Sequence, residues 1–324
     1  MQKTNSIRLN KEKREALKLM LEGEDNIFLT GRAGTGKSTL LEVFRAKTKK
    51  NIVVLAPTGI AALNVRGQTI HSFFGFKPGI MPEKVERVFD SRRAGLYKNI
   101  EAIVIDEISM VRADLLDSVD AFMRFNGKNK DLPFGGVRLI MMGDLYQLPP
   151  VVVEEEKEIF TKHYKSPYFF DAMAYSEISV RYLQLNRVFR QKEKELVGIL
   201  NRLRTGDVKE SDLKVLNRCH NGAHSPDIFN SHIYLSTTNK RAEEINQHML
   251  EKLPGEPVCS AAVALGKFPE DRLPTDKNLI IKEGARIMFL NNDPTGSWVN
   301  GSLGKIVEVK KESGFLSIRV QVDG

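Results

Sequence analysis

Residues 31–38 read GRAGTGKS, an octet with the spacing GxxxxGKS. The apolar run at 27–30 precedes it, and Leu40, Leu41 and Phe44 follow at helical spacing, which places the octet between a strand and a helix. In that position glycines let backbone N–H groups converge on an anion, and the start of the helix adds a partial positive charge. The sequence therefore predicts a loop that binds the phosphates of a nucleoside triphosphate.

Residue types within the octet assign contacts to the nucleotide. We expect Lys37 to reach the β- and γ-phosphates and the hydroxyl of Ser38 to ligate Mg²⁺. The further nucleotide contacts expected from this loop are Gly34, Thr35, Gly36 and Thr39. A glycine-rich surface loop beside a chance Gly-Lys-Ser is the alternative, and the flanking strand and helix patterns disfavour it.

Composition and charge narrow the class of protein. The chain has 324 residues, of which 41% are hydrophobic, and a formal net charge of +8. Single cores stop growing near about 250–300 residues, so we expect two domains, and the basic excess favours a polyanionic partner. The two cysteines form no CxxC pair, which favours a reducing compartment. Without a signal core or ~20 consecutive apolar residues, we expect a cytoplasmic protein with no membrane partner, nucleoid-associated if bacterial.

Four apolar runs recur through the first half of the chain, at 27–30, 52–56, 102–106 and 137–143. Because helical patterns separate them, they predict an α/β fold with a parallel sheet covered on both faces. In such sheets ligands bind at the carboxyl ends of the strands, where polar residues follow these runs. Residues 66–99, rich in aromatic residues and prolines, predict a small insertion.

The second half repeats the αβ pattern and then changes. Helical patterns cover about 193–204, 210–218 and 240–250, and a strand pattern covers 232–235. From residue 279 onward, short β segments alternate with turn signals. Because the chain stops at Asp-Gly, a hairpin turn pair with no returning strand, we expect it to be a fragment.

A buried strand pattern at 102–105 ends in two adjacent carboxylates, Asp106 and Glu107. Because successive side chains of a strand point to opposite faces, the two carboxylates are expected to diverge at the edge of the sheet. Asp106 suits the coordination sphere of Mg²⁺, and Glu107 can polarise an attacking water. A hydrolase needs Glu107, whereas a kinase or a passive nucleotide binder does not, so the pair predicts triphosphate hydrolysis.

Two further residues are candidates for contact with the γ-phosphate. Gln147 lies in GDLYQLPP at 143–150. There it can contact the γ-phosphate, so that hydrolysis changes the contacts of its loop. A proline-terminated loop with no such contact is the alternative. Arg190 lies in RVFRQ at 187–191 and is placed to supply an arginine finger, with an ordinary surface arginine as the alternative. We count both as candidate catalytic residues.

Taken in order, these segments resemble the PIF-type (petite integration frequency) helicases of superfamily 1, which move 5′ to 3′ on DNA. The matching segments are GRAGTGKS (31–38), APTGIAALNV (56–65), GQTIHSFF (67–74), VIDEISMV (104–111), GDLYQLPPV (143–151), LQLNRVFRQ (183–191), LSTTNKRAEEIN (235–246) and GARIMFLNND with VNGSLGKIVEV (284–309). The catalytic residues that the resemblance implies are Lys37, Ser38, Asp106, Glu107, Gln147 and Arg190.

The resemblance also implies two RecA-like αβα domains built on parallel sheets, with ATP and Mg²⁺ bound. The implied boundaries are 1–182 for the first domain, with a wedge-like insertion at about 66–99, 183–275 for an incomplete second domain, and 276–324 for the start of an inserted β-rich domain. The implied partners are single-stranded DNA and forked or structured DNA. We expect a monomer with roles in DNA repair, DNA replication and telomere maintenance.

Two departures from the family pattern bear on activity. The family begins with LNxEQ, whose glutamine reads adenine, whereas here Asn10, a candidate nucleotide contact, leads to Lys13. Lysine donates hydrogen bonds and accepts none, so this position does not enforce a strict preference for ATP. The family's last two motifs, which carry a second catalytic arginine and a DNA-gripping strand, do not occur here. We therefore do not expect full coupling of hydrolysis to movement.

Polar residues at strand and helix ends are candidates for contact with DNA phosphates. The candidates are Thr58, Gly59, Ile60, Thr69, His71, Thr237, Thr238, Asn239 and Lys240. Each group alone also fits a helix cap or a loop, whereas together they match DNA-contacting motifs of the family. Such contacts predict sequence-independent binding that weakens with salt. Phe73, Phe74 and Phe76 are candidates either for stacking on bases or for packing the insertion.

Two functions are compatible with these residues. The first is an ATP-driven motor that translocates on single-stranded DNA and unwinds duplex DNA. The second is a nucleotide-gated single-strand-binding module without unwinding activity, which the missing motifs suggest. A GTPase is disfavoured because Ala242 stands where that class needs aspartate. A small-molecule kinase has no use for Glu107, Gln147 and Arg190 together.

Overall fold

The computed structural model describes residues 9–77, 79–188, 194–220, 233–263, 275–291, 293, 295, 297–298, 301–312 and 315–323. The chain divides into two compact units, Met1–Lys214 and Val215–Gly324. In the described part of the chain, no helix is both long enough and apolar enough to cross a bilayer. The domain boundaries proposed at 182 and 275 remain predictions.

A six-stranded parallel sheet forms the centre of the first unit. Its strands are β1 (Asn26–Gly31), β2 (Ile52–Ala56), β3 (Gln68–Thr69), β4 (Ala102–Ile105), β5 (Arg138–Gly143) and β6 (Val180–Leu185). They lie in the order β3-β2-β4-β5-β1-β6, and every neighbouring pair is parallel. The parallel α/β sheet predicted from the apolar runs is confirmed.

Alternate residues of the central strands enter two separate hydrophobic cores, one on each face of the sheet. Ile103 and Ile105 of β4 join one core, whereas Val104 joins the other. In β1, Phe28 and Leu29 divide in the same way. Every residue of β4 and β5 is buried. Cover on both faces accounts for the apolar sequence of β4 and of β5 after Arg138, because neither face needs polar side chains.

Helices and short 3₁₀ turns precede, connect and follow the strands of the first unit, and the last helix extends past Lys214 into the second unit. The helices are α1 (Lys11–Glu22), α2 (Lys37–Lys47), α3 (Gly59–Asn64), α4 (Ile70–Phe74), α5 (Ser91–Asn99), α6 (Ala113–Asn126), α7 (Glu154–His163), α8 (Met173–Ser176), α9 (Lys194–Thr205) and α10 (Glu210–Arg218). The 3₁₀ turns are Pro82–Lys84, Ile108–Met110, Pro133–Gly136 and Phe169–Asp171. The helices predicted at 193–204 and 210–218 are confirmed by α9 and α10.

Aromatic residues of the predicted insertion pack into a core. Phe73 and Phe74 are 8% and 4% exposed, and their rings contact Tyr97 of α5. The Tyr97 hydroxyl donates to the Phe73 carbonyl at 3.0 Å, and Phe122 of α6 completes the cluster. Phe89, in contrast, is 91% exposed. Phe73 and Phe74 therefore pack the insertion, and Phe89 is an aromatic side chain that the insertion presents to solvent.

In its described residues, the second unit contains a long helix and antiparallel strands. Its elements are α11 (Asn239–Lys252), β7 (Val258–Ala261), β8 (Asn278–Ile281), β9 (Arg286–Met288), β10 (Leu303–Glu312) and β11 (Phe315–Val322). β7 pairs with β8, and β10 pairs with both β9 and β11. The predicted helix at 240–250 and the predicted β segments after residue 279 are confirmed.

The strand predicted at 232–235 is wrong over 233–235, the part of it that the structure describes. Those residues form no strand, and Ile233 and Leu235 are 65% and 89% exposed. An apolar run becomes a stable strand only with hydrogen-bonding neighbours and a packed face. The local pattern alone does not supply either.

Candidate nucleotide site and nucleic-acid interface

The loop between β1 and α2 has the backbone of an anion site. Gly34 and Gly36 have φ angles of +76° and +87°, in the left-handed region that favours glycine. Gly36 is also the N-cap residue directly before α2, and it offers no side chain to cap the helix. The N–H groups of the first turn are therefore left for a ligand. Residues 31–38 thus join a strand to a helix, as their flanks predicted.

Polar side chains predicted to contact the nucleotide lie in the loop, in the first turn of α2 and before α1. Thr35 is buried, and its hydroxyl donates to a carbonyl of the same loop at 2.8 Å. Ser38 and Thr39 lie in the first turn of α2. Asn10 begins α1, where its Oδ1 accepts from the backbone N–H of Lys13 at 3.1 Å. The structure thus gives Asn10 the role of a helix cap, and nucleotide contact by its side chain stays a prediction.

Lys37 lies at the centre of the charged groups. It is 9% exposed, and its Nζ donates to the carbonyl of Gly31 at 2.6 Å. Burial lowers the pKa of Lys37, and nearby negative charges oppose this change. The carboxylates that oppose it, in order of effect, are Asp144, Glu107 and Asp106. The ammonium and three carboxylates therefore share one neighbourhood, which is the setting that a triphosphate and a divalent cation require.

Asp106 and Glu107 occupy the turn that follows β4. Asp106 is 5% exposed, and burial, with a further contribution from the charge of Glu107, raises its pKa to about 6. Glu107 has φ of +51°, a left-handed conformation that side chains rarely adopt and that clusters at functional sites. The turn holds one carboxylate buried and the other half-exposed.

The donor set fits Mg²⁺. This cation takes oxygen ligands and binds through one or two carboxylates together with phosphate oxygens and water. The Ser38 hydroxyl and the Asp106 carboxylate supply oxygens of this kind, and a divalent cation would compensate the buried charge of Asp106. These two residues are therefore suited to the metal that accompanies a triphosphate.

A buried ion pair holds the loop after β5. Asp144 is 1% exposed and pairs with Arg204 of α9 at 2.7 Å, and Gln147 Nε2 donates to Asp144 Oδ2 at 3.2 Å. Burial acts to raise the pKa of Asp144, but the hydrogen bonds from Arg204 and Gln147 outweigh it and lower the pKa. Arg204 also lies 4.2 Å above the ring of Tyr146. Arg190, the predicted arginine finger, lies outside the described residues.

Sequence reasoning missed Arg204 because it is one of several basic residues in a helical pattern. Asp144 was visible in the segment 143–150, but nothing local indicated its partner. Their pairing depends on where α9 lies relative to the loop after β5. An alternating or helical period does not encode such a contact.

Thr58 and Thr69 begin helices at the same edge of the sheet. Each hydroxyl accepts from the backbone N–H three residues further on, at 3.2 and 3.1 Å. β2 and β3 run parallel with Ala56 opposite Thr69, so both threonines stand at the carboxyl ends of neighbouring strands. Gly59 and Ile60 form the first turn of α3, and Ile60 is 52% exposed. A capping threonine keeps its O–H to donate, so these residues can also contact a phosphate.

The remaining candidates lie in two places. His71 lies in α4, and burial lowers its pKa, with the charge of Asp114 opposing the change. In the second unit, the Thr238 hydroxyl caps α11 by accepting from a backbone N–H at 3.3 Å. Asn239 and Lys240 begin that helix, and Thr237 precedes the cap. DNA contact by these residues stays a prediction.

Comparison with known proteins gives consistent matches. Residues 8–214 match the PIF1-like helicase family. The chain is 35% identical over 318 residues to ATP-dependent DNA helicase PIF1 of Saccharomyces cerevisiae, covering 93% of this chain and 36% of that protein. It is 31% identical over 316 residues to ATP-dependent DNA helicase Pif1 of Bdellovibrio bacteriovorus, covering 94% of this chain and 68% of that protein. The chain thus spans about a third of the length of the yeast relative.

Solved structures agree with these matches. Bacteroides Pif1 bound to ssDNA superposes with a TM-score of 0.83 and 36% identity, covering 97% of this chain and 72% of that chain. Pif1 from Candida albicans gives a TM-score of 0.78 and 28% identity, covering 98% of this chain and 75% of that chain. The family indicated by the order of motifs is confirmed, and the chain belongs to the PIF1-like helicases.

Proposed function

We propose that this chain is the motor portion of an ATP-dependent DNA helicase that translocates 5′ to 3′ on single-stranded DNA and unwinds duplex DNA. One edge of the parallel sheet carries the proposal. The phosphate loop follows β1, Asp106 and Glu107 follow β4, and Gln147 follows β5. At the same edge, Thr58 follows β2 and Thr69 is the last residue of β3. Nucleotide chemistry and DNA contact would therefore share one sheet.

Each residue of the site has a chemical role in hydrolysis. The loop N–H groups and Lys37 bind the triphosphate, and Ser38 and Asp106 would hold Mg²⁺. When bound, this cation supplies positive charge to the phosphate oxygens. Glu107 accepts a hydrogen bond from the attacking water and orients it toward the γ-phosphate. Gln147 contacts the γ-phosphate, so the loop after β5 loses this contact when the phosphate leaves.

Relatives support the DNA partners. Bacteroides Pif1 is known in complex with ADP-AlF3 and ssDNA, and a further structure concerns unwinding at forked dsDNA by two coordinating Pif1 helicases. For this chain we propose single-stranded and forked DNA as partners, with Arg190 as the arginine finger. We also propose that the protein acts as a monomer and is located in the cytoplasm.

The experiment compares Lys37→Ala with Lys47→Ala, a substitution of an exposed lysine at the other end of the same helix. We expect Lys37→Ala to lower DNA-stimulated ATP hydrolysis by about a hundredfold, because a charged contact to phosphate is lost. Lys47→Ala should match the parent. Hydrolysis at the parent rate in Lys37→Ala would contradict the assignment of this loop.

Strand displacement separates the motor from the second candidate, a nucleotide-gated single-strand-binding module without unwinding. The motor displaces the duplex strand from a substrate with a 5′ single-stranded tail and not from one with a 3′ tail. The binding module holds both substrates tightly, in a nucleotide-dependent manner, and displaces neither.

A further inference from the structure

Lys13 of α1 lies against the phosphate loop. It is 7% exposed, and a Cβ placed on Gly36 would lie 3.0 Å from Lys13 Cε and closer still to its Nζ. The ammonium therefore covers Gly36, the N-cap residue of α2. α1 and α2 share one hydrophobic core, which includes Leu17 and Leu41. Packing of the two helices thus fixes Lys13 over the loop.

This arrangement brings two ammonium groups to the phosphate loop. The second ammonium of the loop belongs to Lys37, and the start of α2 adds the positive end of a helix dipole. Burial lowers the pKa of Lys13, with the charge of Glu12 opposing the change. An anion with several charged oxygens can accept hydrogen bonds from both ammonium groups and from the N–H groups at the start of a helix.

We propose that Lys13 is a second phosphate-binding cation of the nucleotide site and that the site accepts nucleoside triphosphates of any base. The proposal rests on the nucleotide hydrolysis proposed above and adds its substrate class. Binding then depends mainly on the triphosphate, which all these nucleotides share. Lys13 determines the substrate class in this way: it adds affinity for the triphosphate and makes no contact that distinguishes one base from another.

The hydrogen-bonding capacity of an ammonium group indicates that Lys13 binds the phosphates of the nucleotide and not its base. It has three donors and no acceptor, so it cannot receive a hydrogen bond from the N6 amino group that identifies adenine. If Lys13 contacted the base, it would favour guanine, whose O6 and N7 both accept. Its place over Gly36, the N-cap residue of the helix that follows the phosphate loop, favours the phosphates instead.

Tripolyphosphate is the probe for phosphate recognition, because it carries no base. In calorimetric titration of the 324-residue chain, we expect Lys13→Gln and Lys13→Met to raise its Kd about ten- to a hundredfold. Lys11→Gln is the matched control, since this lysine lies on the same helix with its side chain 86% exposed. Thermal unfolding of each variant checks the fold. A parent-like Kd in both Lys13 variants overturns the proposal.

Base selectivity is measured on the parent chain, so it does not depend on any variant folding. With saturating oligo-dT, we expect kcat/KM for ATP, GTP, CTP and UTP to agree within about tenfold. A larger preference for any one base overturns the proposal while leaving a DNA-stimulated hydrolase in place. Absence of hydrolysis with all four nucleotides contradicts the proposed function instead, and tripolyphosphate binding still reports on Lys13.

Discussion

Arg204 and Asp144 form a two-point ion pair within the first unit, although 60 residues separate them in the chain. Nη2 lies 2.7 Å from Oδ1 and Nε lies 3.2 Å from Oδ2. The side chains are 19% and 1% exposed, so the carboxylate depends on the guanidinium for compensation. Removing one partner of such a pair leaves a buried charge alone. The pair therefore anchors the loop that contains Gln147 to α9.

Arg204→Met is expected to lower the free energy of unfolding by about 3 kcal/mol, because Asp144 stays buried without its counter-charge. Urea denaturation at pH 7 measures the change. The control is Arg181→Met, which removes a surface pair with Asp25 whose atoms are 3.5 Å apart. That variant should lose less than about 1 kcal/mol. Equal losses in the two variants would contradict an anchoring role for Arg204.

The same pair predicts a pH dependence of stability. The pKa of Asp144 is lowered in the folded protein, so its contribution is present above the unfolded aspartate pKa of about 3.9 and is lost as the pH falls through the lower, folded value. In Arg204→Met, burial without the guanidinium raises that pKa. The stability gap between parent and variant should therefore narrow as the pH falls from 7 to about 4. A constant gap in urea denaturation would contradict this account.

The central sheet was predictable because its strands carry their signal locally. β1, β2, β4 and β5 are apolar runs followed by polar residues, and their predicted limits agree with the observed ones within one residue. β3 was not predictable in this way. It has only two residues, Gln68 and Thr69, and exists because β2 offers a parallel partner at Leu55 and Ala56.

The residues of the candidate site also fall into those that the local sequence predicts and those that depend on tertiary packing. Asp106 and Glu107 follow directly from a buried strand with a polar end, so their shared location needed no knowledge of packing. Lys13 was visible as an unusual residue, but its position over Gly36 depends on α1 meeting α2. Arg204 depends in the same manner on α9. Contacts between elements distant in sequence are set by tertiary packing, which a local pattern does not contain.

Substitutions of Thr58 can separate its role as a helix cap from a contact with DNA. Aspartate is as good a helix cap as threonine but repels phosphates, so Thr58→Asp should keep the stability of the parent and lose about tenfold in affinity for oligo-dT. Thr58→Ala should lose about 1 kcal/mol of stability through loss of the cap. Thr58→Ser is the control for both. Fluorescence anisotropy and thermal unfolding provide the measurements, and unchanged affinity in Thr58→Asp would argue against DNA contact.

Phe89 is expected to act on DNA at the fork. It is 91% exposed between the 3₁₀ turn Pro82–Lys84 and α5, in a segment that also contains Arg87, and Arg92 lies in the first turn of α5. Stacking of an aromatic ring on a base contributes about 1–3 kcal/mol. Phe89→Ala should therefore slow displacement of the strand from forked DNA about tenfold or more while leaving single-strand-stimulated hydrolysis and thermal stability unchanged.

Phe125→Ala is the control for this experiment, because Phe125 is a 50% exposed aromatic residue on α6. It should behave as the parent in both assays. If Phe89→Ala unwinds forked DNA at the parent rate, the exposed ring has no part in strand separation.

Glu107→Gln should separate binding from chemistry. Glutamine keeps the size of the side chain at this strained turn but cannot take up a proton from the attacking water. We expect ATP hydrolysis to fall about a hundred- to ten-thousandfold, whereas ATP affinity stays within about threefold of the parent. Lys37→Ala should differ by losing nucleotide affinity as well, because Lys37 contacts the phosphates themselves. Single-turnover hydrolysis and equilibrium nucleotide binding, measured on both variants, distinguish the two roles. Hydrolysis by Glu107→Gln at the parent rate would require another group to orient the water.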